Sequence, residues 1–105
     1  MVDSITQKFI DKIRDIKEKI DAIYLFGSRA RGDEKPDSDY DLLLVVKDDF
    51  TLTDKSKLYD VVIDILLEMS RLISLKIFKK KEFERLYQMK TPFTQNVLKE
   101  GIKLG

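Results

Sequence analysis

The feature that most constrains this sequence is a polar loop between two apolar segments. Residues 22–26 are apolar and aromatic, and Gly27-Ser28 follows them directly. Ten residues later, Asp39 and Asp41 open a second apolar run that extends to Val46. Short apolar runs bounded by turn residues are typical of buried strands. We therefore predict two strands, at 22–26 and 41–46, on either side of the loop.

Asp39 and Asp41 are the residues whose spacing most clearly indicates chemistry. Side chains two apart along a strand point to the same face. Two carboxylates at the entrance of a buried strand repel each other and are costly unless a cation or partner neutralises them. In proteins Mg²⁺ is commonly held by one or two carboxylates together with substrate phosphates. We interpret the pair as metal ligands, although either residue could instead cap a turn.

The loop itself has the composition of a phosphate site. A glycine lets the backbone approach an anion closely, and free N–H groups at a turn attract negative charge. Gly27 and the Ser28 hydroxyl are the candidates for this contact. Arg29 and Arg31 are either solvated loop charges or guanidinium partners of the phosphates. The loop and the following strand thus predict a nucleotide site beside a metal site.

Together these residues resemble the signature of the polymerase-beta-like nucleotidyltransferase superfamily: Gly27-Ser28, ten residues, then Asp39-x-Asp41. The stretch Arg29-Ala30-Arg31-Gly32 is also similar to the form found in its smallest members, the minimal nucleotidyltransferases. The resemblance implies one α/β domain over residues 1–105, with a small mixed sheet flanked by helices.

The resemblance also implies an activity. A nucleoside monophosphate, with AMP from ATP as the first choice among the nucleoside triphosphates, would be transferred to an acceptor hydroxyl. Asp39 and Asp41 would be catalytic and would bind Mg²⁺ or Mn²⁺, while Gly27, Ser28, Arg29 and Arg31 would bind the nucleotide. Minimal nucleotidyltransferases are often paired with a HEPN-type toxin, on which they adenylylate a tyrosine as the antitoxin. The resemblance implies such a protein partner here.

One departure from the superfamily pattern opens an alternative. A third carboxylate normally comes from a later strand, and the strand predicted at 73–78 carries Ser74 and Lys76 but no acid. Lys76 could approach the phosphates as a cation or lie exposed on the strand. The alternative function is a non-catalytic, partner-binding protein that retains the nucleotidyltransferase scaffold.

The rest of the chain predicts helices around these strands. We expect a first helix over 5–19 and a long helix capped by Thr53 or Asp54. A shorter helix runs through Phe83, Leu86 and Tyr87, a last one begins at Thr91-Pro92 and stops at Gly101, and 102–104 add a small edge strand. One face of the long helix is predicted to carry its apolar side chains: Leu58, Val61, Val62, Ile65, Leu66, Met69 and Leu72.

Composition excludes several other function classes. The 20 basic and 19 acidic residues give a net charge of +1, which argues against direct nucleic-acid binding because such domains usually carry a basic excess. The chain has no Cys and no His, so disulfides, thiolate metal sites and a histidine base are excluded. No run is long enough to span a membrane and no signal-peptide pattern is present, which favours a cytoplasmic protein. Self-association stays open.

Overall fold

A four-stranded mixed sheet lies at the centre of the fold. The computed structural model describes residues 4–32, 35 and 39–104, except for the side chain of Ser28. The strands are β1 (Ile20–Phe26), β2 (Tyr40–Val46), β3 (Ile73–Lys79) and β4 (Ile102–Lys103). The helices are α1 (Ser4–Lys12), α2 (Ser28–Arg31), α3 (Leu52–Met69), α4 (Lys80–Gln88) and α5 (Pro92–Glu100), with a 3₁₀ helix at Arg14–Lys19. The predicted α/β fold is confirmed.

The strand order places the predicted site residues in one row. The order is β3-β2-β1-β4, with β1 antiparallel to both of its neighbours and β2 parallel to β3. A parallel pair needs a crossover, which α3 provides. Phe26 at the end of β1 lies opposite Asp41, and Asp41 lies opposite Ser74 of β3. The end of β1 and the starts of β2 and β3 therefore meet at one edge of the sheet.

Both faces of the sheet are covered, and β2 contributes to both cores. Leu42, Leu44 and Val46 belong to the larger core, beneath α1 and α3. Leu43 and Val45 belong to a smaller core with residues of α4 and α5. A strand buried on both faces reads as a continuous apolar run, which is how β2 appears in the sequence.

The helix α3 begins with a cap other than the predicted one. Its N-cap is Thr51, whose hydroxyl accepts a hydrogen bond from the Asp54 N–H at 3.2 Å. The Asp54 carboxylate accepts in return from the Thr51 N–H at 2.9 Å, which completes a capping box. The prediction of Thr53 or Asp54 as the N-cap was wrong, because Asp54 occupies the third helical position and caps from within the helix.

The first helix is shorter than predicted. The single helix expected over 5–19 ends at Lys12, and a 3₁₀ helix continues to Lys19. The Ile13 N–H donates to the Ile10 carbonyl at 3.3 Å and the Ile16 N–H to the Ile13 carbonyl at 3.1 Å. This tighter pattern repeats every three residues. It keeps Ile13 and Ile16 both buried in the larger core.

Two of the side chains assigned to the buried face of α3 are exposed. Leu58, Val61, Val62 and Ile65 are buried as predicted, whereas Leu66 is 41% exposed. Because each residue turns about 100° round the helix, Leu66 lies at the margin of the buried stripe, beyond Val62 and well away from Val61. Leu72 is also exposed, because the helix ends at Met69 and Ser70 takes a left-handed conformation. In the part of the chain that the structure describes, no helix is both long and apolar enough to cross a bilayer.

Candidate active site

Gly27 directly follows β1 and has a conformation that only glycine adopts readily. Its φ is 76°, and its carbonyl accepts the backbone N–H groups of Ala30 and Arg31, both at 3.1 Å, to start α2. A Cβ atom built on Gly27 would overlap the Asp41 carboxylate. The position therefore requires glycine both for its backbone angle and for the close approach of the loop to Asp41.

Asp39 and Asp41 lie near each other at the start of β2. Asp41 is the second residue of β2 and half-buried, whereas Asp39 lies just before the strand and is exposed. Burial raises the pKa of the Asp41 carboxyl above its ordinary value, and the negative charge of Asp39 raises it further. The fold thus holds two mutually repelling carboxylates together, one of them partly desolvated.

Two cations lie close enough to Asp41 to oppose this effect. Lys76 and Arg31 both act to lower the pKa of Asp41, Lys76 more strongly. Lys76 shares a sheet face with Asp41, because Ser74 lies opposite Asp41 and Lys76 is two residues further along β3. Arg31 also lies 3.7 Å from the Glu100 carboxylate at the end of α5. The acid pair is therefore bordered by positive charge from two different elements.

Arg29 and Arg31 have different surroundings. The Arg29 guanidinium lies over the ring of the buried Tyr40, 3.9 Å from its centroid. This cation–π contact packs α2 against the start of β2. A phosphate contact for Arg29 stays a prediction. The side chain of Ser28 lies outside what the structure describes, so its predicted phosphate contact also stays a prediction.

An aromatic cluster covers the sheet beside the acid pair. Phe93 of α5 meets Phe26 edge to face, with ring centroids 5.8 Å apart, and lies 6.0 Å from Phe78 of β3. Phe26 shares its face of the sheet with Asp41, its cross-strand partner. Sequence reasoning missed Phe93, because no local pattern marks it. Its place in the aromatic cluster depends on how α5 packs onto β1 and β3.

The chemistry of the acid pair fits a hard cation. Two carboxylates without His or Cys form the donor set that Mg²⁺ prefers, and a bound cation would favour the ionised form of Asp41. Among the residues that the structure describes, no group of three or more such side chains is arranged to hold a metal ion. A cation here would need further oxygen ligands, which a triphosphate can supply.

Comparison with known proteins identifies the family. Residues 8–104 match the family model of "Polymerase beta, Nucleotidyltransferase". The chain belongs to this nucleotidyltransferase family. Two proteins of Methanocaldococcus jannaschii, each named "putative protein adenylyltransferase", are similar to it. One is 37% identical over 89 residues, covering 85% of this chain and 83% of the relative. The other is 34% identical over 98 residues, covering 90% and 89%.

Solved structures confirm the nucleotidyltransferase fold. A toxin–antitoxin structure with AMP-PNP superposes with a TM-score of 0.60 at 22% identity, covering 94% of this chain and 71% of the other. A mutant form of the MntA-HpeT toxin–antitoxin superposes with a TM-score of 0.57 at 19% identity, covering 100% and 73%. The family model and the two relatives confirm the family resemblance drawn from Gly27-Ser28 and Asp39-x-Asp41.

Proposed function

We propose that this nucleotidyltransferase transfers AMP from ATP to a hydroxyl group on a protein and releases pyrophosphate. The observation that carries the proposal is the half-buried Asp41, held against Gly27 and beside Asp39 with a raised pKa. Such an arrangement costs stability in the unliganded protein, and a cation with a triphosphate would offset that cost. The adenylyltransferase names of the two relatives support AMP as the transferred group.

Each site residue has a proposed role. Asp39 and Asp41 would hold Mg²⁺ or Mn²⁺, which supplies charge neutralisation at the triphosphate when bound. The Gly27 backbone, the Ser28 hydroxyl and the Arg29 guanidinium are proposed to bind phosphate oxygens. Arg31 and Lys76 lie near Asp41 and are proposed to stabilise the negative charge that develops on transfer. Positioning and charge neutralisation of this kind account for most catalysis of phosphoryl-type transfer.

The reaction needs no covalent intermediate on the protein. The acceptor oxygen attacks the α-phosphorus, and a new P–O bond forms as the bond to the bridging oxygen of the β-phosphate breaks. Pyrophosphate leaves with the electron pair, and the hydroxyl proton passes to water. Solvent is the proposed proton acceptor because β3 offers Ser74 and Lys76 beside the acid pair instead of a carboxylate.

The proposed acceptor is a tyrosine of a HEPN-type toxin, with this chain as its antitoxin in the cytoplasm. Two of the solved structures with this fold are toxin–antitoxin structures, one of them with AMP-PNP. The chain also spans more than four-fifths of each adenylyltransferase relative. The toxin–antitoxin structures and the protein adenylyltransferase names of the two relatives support a protein as the acceptor.

Label transfer tests this proposal. The purified protein is incubated with ATP labelled at the α-phosphate, Mg²⁺ and the product of the adjacent gene, with Asp39→Asn and Asp41→Asn alongside. We expect label on a tyrosine of that product, lost with either variant. Asp64→Asn, which changes an exposed carboxylate on α3, is the matched control and retains transfer. Equal labelling by wild type and Asp41→Asn would contradict the assignment.

A second candidate function is a binding protein on the same scaffold. The specific observation in its favour is that β3 places Ser74 opposite Asp41 and Lys76 two residues further on the same face, with no carboxylate on the strand. On this hypothesis the Asp39→Asn, Asp41→Asn double variant still binds and neutralises the partner. A stable complex without label from any of the four nucleoside triphosphates would favour this function over transfer.

A further inference from the structure

The helix α3 carries apolar side chains on two faces. One face is buried against the sheet through Leu58, Val61, Val62 and Ile65. The other presents five large apolar side chains to solvent: Leu52 (83% exposed), Tyr59 (41%), Ile63 (51%), Leu66 (41%) and Leu67 (78%). Contiguous exposed apolar patches commonly mark interaction sites.

The outward residues follow a heptad spacing. Steps of four and three residues connect five exposed positions, which we call the α3 seam: Leu52, Ser56, Tyr59, Ile63 and Leu66. In heptad notation Leu52, Tyr59 and Leu66 occupy d, and Ser56 and Ile63 occupy a. The seam covers most of the 18-residue helix, which is about 27 Å long at 1.5 Å per residue. This is the pattern by which one helix packs along another.

We propose that the α3 seam packs against the same seam of a second copy of this chain, with the two helices parallel. A β-branched residue at a with leucine at d favours two parallel strands, and Ile63 lies between Tyr59 and Leu66 in that arrangement. Because the body of the domain already holds α3 in helical form, the pairing does not have to order the helix.

The charges that border the α3 seam select the parallel arrangement. Lys55 and Asp60 occupy the g and e positions, and in a parallel pair g faces the e position five residues on in the partner. Lys55 of each copy would thus meet Asp60 of the other. Within the described ranges neither side chain has an ion-pair partner, whereas Lys57 and Glu68, further round the helix, pair with Asp15 and with Lys8. An antiparallel pair would set Asp60 against Asp60.

The position of α3 separates this contact from the acid pair. Asp41 lies on the sheet face of Leu43 and Val45, which α4 and α5 cover. The α3 helix covers the opposite face. Pairing through the α3 seam therefore leaves the acid pair of each copy accessible. Disrupting the seam is expected to leave nucleotidyl transfer unchanged.

Sedimentation velocity at increasing protein concentration is the first test. We expect a monomer–dimer equilibrium that reaches twice the monomer mass at high concentration. Ile63→Lys should remain monomeric, whereas Leu98→Lys, which changes a similarly exposed leucine on α5 (41% exposed against 51% for Ile63), should dimerise like the wild type. Circular dichroism confirms that both variants fold. A wild type that stays monomeric at every concentration overturns the proposal.

Charge reversal tests the parallel orientation. Lys55→Glu and Asp60→Lys should each raise the dimer dissociation constant by about tenfold, since each converts two attractions into repulsions. The double variant should recover the wild-type constant, because each reversed charge then faces an opposite charge on the second copy. Failure of the double variant to recover would overturn the parallel pairing.

Cysteine cross-linking gives an independent answer, since the chain has no native cysteine. In a parallel pair every seam residue meets its own counterpart, so Leu52→Cys at the start of α3 should form a disulfide-linked dimer. In an antiparallel pair only residues near the middle of the helix meet, such as Ile63→Cys. Cross-linking at position 63 without cross-linking at position 52 would overturn the proposal.

Discussion

At residue scale, the Asp41 carboxylate suits the proposed metal site but destabilises the unliganded fold. Its half-buried carboxyl lies beside Asp39 and against the Gly27 backbone. Burial and the charge of Asp39 both disfavour its ionised form, so at neutral pH the unliganded protein carries an electrostatic cost. Residues held in this way are common at sites where a ligand supplies the missing charge.

The first prediction is that Asp41→Asn stabilises the unliganded protein. Because the pKa of Asp41 is raised by folding, its charge is destabilising above the unfolded pKa, and this cost disappears as the pH falls and the carboxyl becomes protonated. We expect a higher Tm for Asp41→Asn than for wild type near neutral pH. The difference should disappear near pH 3, below the ordinary range of aspartate.

Thermal unfolding without metal or nucleotide measures this effect. Asp64→Asn, on the solvent-exposed side of α3, is the control and should shift Tm little at either pH. A lower Tm for Asp41→Asn at neutral pH would show that the ionised carboxylate stabilises the fold.

The second prediction concerns Lys76. If Lys76 neutralises charge in the transfer step, Lys76→Met should lower the rate by roughly tenfold to a hundredfold, since single electrostatic contacts in active sites have effects of this order or larger. Lys80→Met, which removes an exposed lysine at the start of α4, should retain the rate. Label transfer from α-labelled ATP measures both, and full activity of Lys76→Met would exclude a catalytic role.

At element scale, the start of α3 is fixed by a compact polar network. Thr51 and Asp54 form the capping box, and the Lys19 ammonium lies 3.0 Å from the same Asp54 carboxylate. The Thr51 backbone N–H lowers the pKa of Asp54 most, followed by the hydrogen bond from Lys19. The network joins the end of the 3₁₀ helix to the beginning of α3, and so sets the crossover between β2 and β3.

The third prediction is that this network makes folding stability pH-dependent. Thr51→Ala should cost about 1 kcal/mol, the usual value of an N-cap. Because the pKa of Asp54 is lowered in the folded state, its stabilisation is present above the unfolded pKa and is lost as the pH falls through the folded pKa. Asp54→Asn should therefore be less stable than wild type near neutral pH, with the gap closing below about pH 4.

Urea unfolding at neutral and acid pH tests the capping network. Asp64→Asn again serves as the control, with the same chemical change outside the network. A gap between wild type and Asp54→Asn that stays constant with pH would contradict the assigned role of the carboxylate.

At the scale of the whole molecule, the sheet separates two cores that support different surfaces. The larger core lies beneath α1 and α3 and behind the α3 seam. The smaller core lies beneath α4 and α5, on the face that carries Asp41. Neighbouring residues of β2 alternate between the two cores. Substituting adjacent residues therefore tests the two cores, and the surface above each, one at a time.

The fourth prediction compares Leu43→Ala with Leu44→Ala, both fully buried in the wild type. Each should cost about 3 to 5 kcal/mol, as buried leucine truncations do. Leu43 lies two residues from Asp41 on the same face, so Leu43→Ala should also lower transfer at a temperature where both variants are folded. Urea unfolding and label transfer measure the two effects, and equal activity would contradict the separation.

Much of the fold was predictable because its signals are local. The apolar run of β2, the Pro92 start of α5 and the Gly27-Ser28 to Asp41 spacing all lie within short segments. One wrong prediction was a missed local signal, because Thr51 and Asp54 have the three-residue spacing of a capping box. Leu66 was misassigned because it continues the helical spacing of the buried residues, and the period alone does not show how wide a stripe the sheet covers.

The sequence by itself determined the family and the strands beside the loop, and it named the candidate acid pair, because these depend on residue types at fixed short spacings. Only the tertiary structure decided which groups surround that pair. The parallel pairing of β2 with β3 brings Lys76 to Asp41, and the return of α5 brings Phe93 and Glu100 to the same edge. Contacts between residues tens of positions apart depend on how strands and helices pack, and no local pattern specifies them.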